Sequence, residues 1–368
     1  MSAPATLPDF GAICAQFAFA GRFLEGRPYG SGHINDTYAV SFADGDRRVR
    51  YVLQRINTRV FKDAEALMEN IARVCLHVTA RVAADGRGDA DRRALRLVPT
   101  RAGGSHFRDA ADGWWRAYQF IEGASTYDRI ESPAQARVAA RAFGEFQGLL
   151  ADLPAPRLRE TIPHFHDTRR RFDTLGRSAR ADVAGRASRA AAEIDFARRR
   201  EHLVDTLLVL QARGEIPERI THNDTKLNNV MLDDATGEAL CVIDLDTVMP
   251  GLALYDFGDM ARSATNSADE DETDLSRVRM QLPVFAALVS GYRDGAGSFL
   301  NRAEVANLAL AGRVITFEIG IRFLTDFLDG DIYFKTKRPE HNLDRARNQF
   351  ALLRSMEEQQ VAMEALCR

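Results

Sequence analysis

Alternation of apolar and polar positions dominates the first third of the chain, and helical spacing dominates most of the remainder. Tyr29 to Val40 runs from a glycine-bearing turn into an alternating segment, and Arg50-Tyr51-Val52-Leu53-Gln54-Arg55-Ile56 reads as a second strand. Between them Asp44-Gly45 marks a hairpin turn. From Asp63 to about Val82, the residues Leu67, Ile71, Val74, Cys75 and Val78 recur at helical intervals. Further strands are expected near Leu95–Pro99 and Trp114–Ile121, separated by a loop rich in Gly and Asp. At Glu122-Gly123 the character changes. Ser132 followed by Pro133 is an N-cap with proline at the first helical position, and Val138, Phe143, Phe146, Leu149 and Leu150 form the inner face of the helix it opens. An Ala/Arg-rich helical stretch is expected over about 182–213, ended by Gly214 and Pro217, and helix dominates again after Asp259.

This order predicts an α+β, protein-kinase-like fold in two lobes. The first, 1–121, is a five-stranded antiparallel sheet with one helix; the second, 122–368, is mostly helical around a short catalytic hairpin, with a hinge at about 120–124. The 368 residues, 45% hydrophobic and 27% charged, suit an ordinary folded protein with two cores. A formal charge of −3 leaves no electrostatic footprint for nucleic acid or a membrane surface, so a neutral or weakly charged small substrate is expected. Cys14, Cys75, Cys241 and Cys367 are far apart, which argues against zinc and a disulfide framework. With no basic n-region before an apolar core and no apolar run of membrane-spanning length, a cytoplasmic location is expected.

The chemistry concentrates in Thr221-His222-Asn223-Asp224-Thr225-Lys226-Leu227-Asn228-Asn229 and in Asp244, which ends the apolar run Cys241-Val242-Ile243. Phosphoryl transfer from ATP needs a carboxylate to orient the attacking hydroxyl and accept its proton, and oxygen ligands for Mg²⁺. The spacing H-x-D-x-x-x-x-N supplies both: His222 braces the loop, Asp224 is the base, and Asn229 offers a carbonyl oxygen to the metal. Asp244, delivered by a buried strand, completes the set. Asp256-Phe257-Gly258 imitates a metal motif without a preceding buried strand, so Asp256 is expected to anchor the catalytic loop by accepting backbone hydrogen bonds.

Upstream, Gly30 and Gly32 between strands allow backbone N–H groups to approach phosphates. His33, Asn35 and Asp36 crown this loop within reach of phosphates or of the acceptor; Asn35 is the nucleotide-side candidate and Asp36 the acceptor-side one. With no lysine in the third strand, Arg55 is the candidate phosphate cation and Glu69 of the following helix its partner. Arg169-Arg170-Arg171 and Arg198-Arg199-Arg200 read as solvated helix faces, and His164 and His166 as structural or substrate-edge residues.

Together these segments resemble the aminoglycoside phosphotransferase superfamily, and within it they are most similar to the N-acetylhexosamine 1-kinases. The resemblance rests on Tyr29 to Tyr38, Leu53 to Asn57, His222 to Asn229, Ile243 to Gly251, Tyr255 to Asp259 and Arg322 to Asp326. The catalytic loop departs from the Gly-Asp-Leu-His-Pro-Gly-Asn pattern of the antibiotic-modifying members. The resemblance implies an ATP- and Mg²⁺-dependent kinase that phosphorylates the anomeric hydroxyl of N-acetylglucosamine or N-acetylgalactosamine, with Arg322 and Tyr333 as sugar contacts. Arg322 has an alternative as an ion-pair partner of Asp326. Other small hydroxyl acceptors, such as choline, homoserine or an aminoglycoside, and a kinase-like binding protein without turnover, are the competing functions.

Overall fold

A computed structural model describes residues 7–30, 34–86, 88–297 and 299–368. Its contacts divide the chain into two units, the first ending at Ala124 and the second beginning at Ser125.

The first unit is a five-stranded antiparallel sheet in the order β1 (Arg22–Pro28), β2 (Asp36–Asp44), β3 (Arg47–Ile56), β5 (Trp114–Gln119), β4 (Phe107–Arg108). Asp44 pairs with Arg47 across the β2–β3 turn, where Gly45 takes a φ of 61° that a side chain would oppose. One sheet face, with the short α1 (Phe10–Cys14), encloses Phe17, Phe19, Val40, Phe42, Tyr51, Leu53 and Trp115. The helix α2 (Ala64–Ala84) starts at Asp63, whose side chain accepts the Ala66 N–H, and buries Leu67, Ile71, Val74 and Val78.

Leu95–Pro99 is not a strand. It pairs with the sheet through a bridge from Leu97 to Tyr118 and the flanking bonds Val98 N–H to the Ala117 carbonyl and Gln119 N–H to the Arg96 carbonyl. The additional strands are β1 and the two-residue β4, which lies in the stretch expected as a loop between Pro99 and Trp114. The exposure of β1 does not alternate and its register shifts between Phe23 and Glu25, so it carries no period-two signal.

After β6 (Ala124–Ser125), the second unit is mainly helical. It contains α3 (Pro133–Leu150), α4 (Thr168–Ala181), α5 (Ala191–Arg198) and α6 (Thr206–Ala212). Then come β7 (Arg219–Thr221), β8 (Val230–Asp233), β9 (Ala239–Val242) and β10 (Met249–Gly251). The chain closes with α7 (Ala253–Thr265), α8 (Leu282–Ala296), α9 (Arg302–Ala306), α10 (Leu308–Asp329), α11 (His341–Glu358) and α12 (Gln360–Leu366). The stretch expected as continuous helix over 182–213 is broken. Asp182 adopts a left-handed conformation, and its carboxylate accepts the N–H groups of Arg186 and Ala187, closing a turn before α5.

α10 is buried around almost its whole circumference and packs against α4, α7 and α11. α3 and α8 approach closely because glycines line the contact: a Cβ on Gly291 would sit 2.1 Å from the Arg137 carbonyl oxygen, and one on Gly144 2.7 Å from the Tyr292 carbonyl oxygen. Among the described residues, no helix is long and apolar enough to cross a membrane.

Candidate active site

The loop after β7 is built from the backbone outward. β7 pairs antiparallel with β10, Thr221 opposite Met249, and the chain then turns through Asn223 at a φ of 63°. Asparagine tolerates this left-handed geometry, and its side chain fixes it by donating to the Thr221 and Thr247 carbonyls and accepting from the Thr221 hydroxyl. Asp256, in the first turn of α7, holds the loop from beneath: its carboxylate accepts the N–H groups of His222 (2.9 Å) and Asn223 (2.7 Å) and the side-chain amide of Gln147. Gln147 in turn accepts the Tyr292 hydroxyl at 2.7 Å. Complete burial outweighs these donors and holds the Asp256 carboxyl above the usual carboxylate range.

His222 is fully buried between the rings of Phe143 and Phe146. Its Nδ1 accepts the Asp224 N–H, so Nε2 carries the proton and donates to the Ile243 carbonyl at 2.9 Å. The Ile243 N–H donates to the Asn229 carbonyl, also at 2.9 Å. Both backbone groups of Ile243 are thus tied to the catalytic loop, and the next residue, Asp244, is presented beside it. Asp244 has φ 58° and ψ 62°, a left-handed conformation that ends the β8–β9 hairpin, and is exposed.

Asp224 is the convergence point. Its Oδ1 lies 2.8 Å from the Lys226 ammonium, and its Oδ2 accepts the Asn229 side-chain amide at 3.1 Å. The same amide donates to the Asp224 carbonyl at 2.7 Å. With its nitrogen committed to Asp224, Asn229 keeps its side-chain oxygen for a cation. Burial raises the Asp224 pKa, but the charge and hydrogen bond of Lys226 prevail, and the carboxyl sits below its ordinary range. Lys226 is correspondingly held above the usual lysine value, chiefly by the charge of Asp224. Sequence reasoning missed Lys226. Its signal was its place two residues beyond the base, on the same extended loop face.

A hard cation fits this donor set. Among the described residues, no group of three or more His, Cys, Asp or Glu side chains is arranged to hold a metal unaided. One carboxylate and one amide oxygen are what Mg²⁺ takes from a protein when nucleotide phosphates and water complete its octahedron.

In the first unit the expected brace of the phosphate cation is corrected. Arg55 lies opposite Trp115 across β3 and β5, its guanidinium 5.9 Å from that ring, on the face away from α2. Gln54 and Arg116 occupy the other face, where Arg116 Nε donates to Gln54 Oε1 at 2.9 Å. Arg116 is 1% exposed and opposes the burial that pushes the Cys75 thiol of α2 up to about 12. A strand turns each successive side chain to the opposite face, so Arg55 points away from the helix meant to brace it. The expected Arg55–Glu69 pair is not formed; Glu69 is exposed on α2 and its neighbour Asn70 is the buried residue.

Gly30 has a φ of 78° and open space where a Cβ would sit, whereas Gly32 and His33 lie outside the described residues. Asn35 accepts the Asn57 N–H at 2.9 Å, pinning the start of β2 to the end of β3. Asp36 is exposed, directly opposite Arg55.

In the second unit Arg322 does not pair with Asp326. The Asp326 carboxylate accepts the N–H groups of Ile332, Tyr333 and Phe334, and this folds the segment after α10 back so that the rings of Tyr333 and Phe334 lie 5.9 and 5.7 Å from the Arg322 guanidinium. His166 is buried, bonded to Glu318 and to the Asn223 carbonyl, while His164 is exposed.

A two-unit α+β fold with a paired Asp–Asn loop and a following Asp defines a kinase-like phosphotransferase. The profile of the phosphotransferase enzyme family that includes the aminoglycoside phosphotransferases matches residues 25–290, and the chain belongs to that family. Its fold is similar to a solved aminoglycoside phosphotransferase from Alicyclobacillus acidocaldarius, with 13% identity, 97% of each chain covered and a TM-score of 0.58. A choline kinase from Cryptosporidium parvum is similar at 14% identity over 92% of this chain and 90% of that one, with a TM-score of 0.56. A choline/ethanolamine kinase family protein from Mesorhizobium loti is similar at 16% identity over 95% and 94%, also with a TM-score of 0.56.

Proposed function

We propose that the protein transfers the γ-phosphoryl group of ATP to the anomeric hydroxyl of an N-acetylhexosamine, giving the sugar 1-phosphate and ADP. The observation that carries this reading is Asp224, held ionised between the Lys226 ammonium and the Asn229 amide. An aspartate fixed in this way orients a hydroxyl and takes up its proton as the new oxygen–phosphorus bond forms and the bond to the β,γ-bridging oxygen breaks. Lys226, paired with Asp224, would also stabilise charge on the transferring group. Mg²⁺, when bound with the nucleotide, neutralises phosphate charge; the Asn229 side-chain oxygen and the Asp244 carboxylate are the residues that would hold it. Gly30 and Asn35 remain the nucleotide-side candidates of the first unit, and Asp36, Arg322 and Tyr333 the acceptor-side ones.

The test is coupled measurement of ADP release with Mg-ATP and a panel of acceptors: N-acetylglucosamine, N-acetylgalactosamine, glucose, galactose, choline and kanamycin. Turnover is expected with the N-acetyl sugars, and phosphorus NMR should place the phosphate on the anomeric carbon. Turnover confined to choline or kanamycin would reject the sugar reading, and the absence of ADP release with every acceptor on the panel would favour a binding protein.

A further inference from the structure

His166 is buried, although His164, two residues earlier, is open to solvent. Its ring centroid lies 4.7 Å from that of Phe165 and 5.0 Å from that of Tyr255, contacts that hold its plane. Nδ1 is 2.8 Å from the buried Glu318 carboxylate of α10, whose other oxygen accepts the Thr168 hydroxyl at 2.6 Å. Nε2 is 3.3 Å from the Asn223 carbonyl. A carbonyl oxygen only accepts, so Nε2 carries a proton, and the contact with Glu318 holds a second proton between Nδ1 and Oε1. Among the described residues, this is the only hydrogen bond that the Asn223 carbonyl receives. The N–H of the same peptide bond, that of Asp224, donates to His222 Nδ1, also at 3.3 Å. The peptide plane that leads into Asp224 therefore has a histidine at each end, one donating through Nε2–H and the other accepting through a bare Nδ1.

We propose that His166 is a positioning residue for phosphoryl transfer: together with His222 it clamps the Asn223–Asp224 peptide plane and so sets the direction in which the Asp224 carboxylate is presented. The inference rests on Asp224 as the base and not on which hydroxyl compound is the acceptor. Asn223 stands at a φ of 63°, and its side chain and N–H are tied to Thr221, Thr247 and Asp256. Those bonds fix the residue as far as its Cα and leave the plane beyond it to rotate about ψ. The His166 bond closes that rotation from the carbonyl side and the His222 bond from the amide side. Lys226 and Asn229 hold the Asp224 carboxylate itself, but the plane fixes where its Cα–Cβ bond begins. Glu318 acts one step further out: by engaging Nδ1 it leaves Nε2–H as the edge of the ring turned to the loop. Displacing a reacting group by about 1 Å can cost about 10²-fold in rate, so a clamp of this kind is read in kcat.

The experiment uses the different reach of two amides in the full-length protein. His166→Gln carries an amide nitrogen to about the place of Nε2 and can still donate to the Asn223 carbonyl; His166→Asn ends near the place of Nδ1, still meets Glu318, and leaves that carbonyl unheld. With Mg-ATP and N-acetylglucosamine, kcat is expected to fall by about 10²-fold in His166→Asn and to stay within about tenfold of native in His166→Gln, while KM for either substrate changes by no more than about threefold. A role in packing alone would weaken both variants alike, and melting temperatures measured alongside show whether the two are equally folded. Equal kcat in the two folded variants, or a loss carried by KM, would overturn the clamp. Proton–nitrogen correlation spectra of the histidine side chains in the native protein, assigned through the backbone, should show a proton on Nε2 of His166. A ring protonated at Nδ1 alone would overturn the clamp whatever the kinetics, and this spectrum decides if neither variant folds. Absence of N-acetylglucosamine turnover by the native protein would instead overturn the sugar-kinase reading, and the same spectrum would then decide the clamp.

Discussion

A carboxylate serves as a base only if it is ionised, and at Asp224, the proposed base, the ammonium of Lys226 favours this against burial. Because the folded-state pKa is depressed, the ionised base persists as pH falls through the ordinary carboxylate range and is lost only below it. Removing the cation in Lys226→Met should therefore move the acid limb of the kcat/KM profile to higher pH and lower the plateau by about 10–10²-fold; an unmoved acid limb would separate Lys226 from the base. One layer below, Asp256→Asn replaces an acceptor by an NH₂ group that faces backbone donors. An unsatisfied buried donor costs about 1–3 kcal/mol, and the melting temperature should fall accordingly, with kcat affected more than nucleotide affinity. The sequence showed this acceptor role because the Asp256-Phe257-Gly258 triplet lacked a strand before it. It hid Gln147 and Tyr292, since nothing local distinguishes a glutamine or tyrosine that supports a catalytic loop from one that faces water.

Those supports depend on how elements approach one another. Gln147 rides on α3 and Tyr292 on α8, and the two helices come close enough to join them only because Gly144, Gly291 and Gly295 leave no side chain at the contact. Gly291→Ala would force α8 away from the Arg137 carbonyl and is expected to destabilise the protein by about 1–3 kcal/mol, a typical cost of overpacking. Loss of turnover should accompany the lower melting temperature, because the Tyr292–Gln147–Asp256 chain is pulled apart. Helical spacing gave α3 an apolar face of large residues, but Val138 and Leu149 are only half-buried, and the close approach to α8 is made at Gly144 and at the Arg137 and Arg141 carbonyls. Periodicity locates a face and not the partner pressed against it. The same limit explains the misplaced brace of the third-strand cation. The alternating pattern identified β3, but choosing Arg55 required knowing which face α2 covers, and that is set by packing with Trp115 and Arg116. β1 escaped because a bulged, mostly exposed strand has no alternation to read.

For the molecule as a whole, the order of the elements was legible because strands and helices segregate along the chain, and the catalytic residues were legible because chemistry constrains their spacing more tightly than packing does. Contacts between distant segments were not: the Asp326 carboxylate folds the chain after α10 back so that Tyr333 and Phe334 face Arg322, which no local pattern announces. Nucleotide binding to the folded state alone should stabilise it by mass action, by about 2.7 kcal/mol at a concentration 100 times Kd. A melting shift with Mg-ATP that a chelator largely removes is expected; an equal shift with chelator present would take Asn229 and Asp244 out of the metal's coordination. The most direct test of the central claim is phosphoryl transfer from ATP to an N-acetylhexosamine by Asp224→Asn protein whose melting temperature and ATP affinity match those of the native chain. Turnover lowered by about 10²–10⁴-fold is expected, whereas activity within about tenfold of native would contradict the assignment of Asp224 as the base.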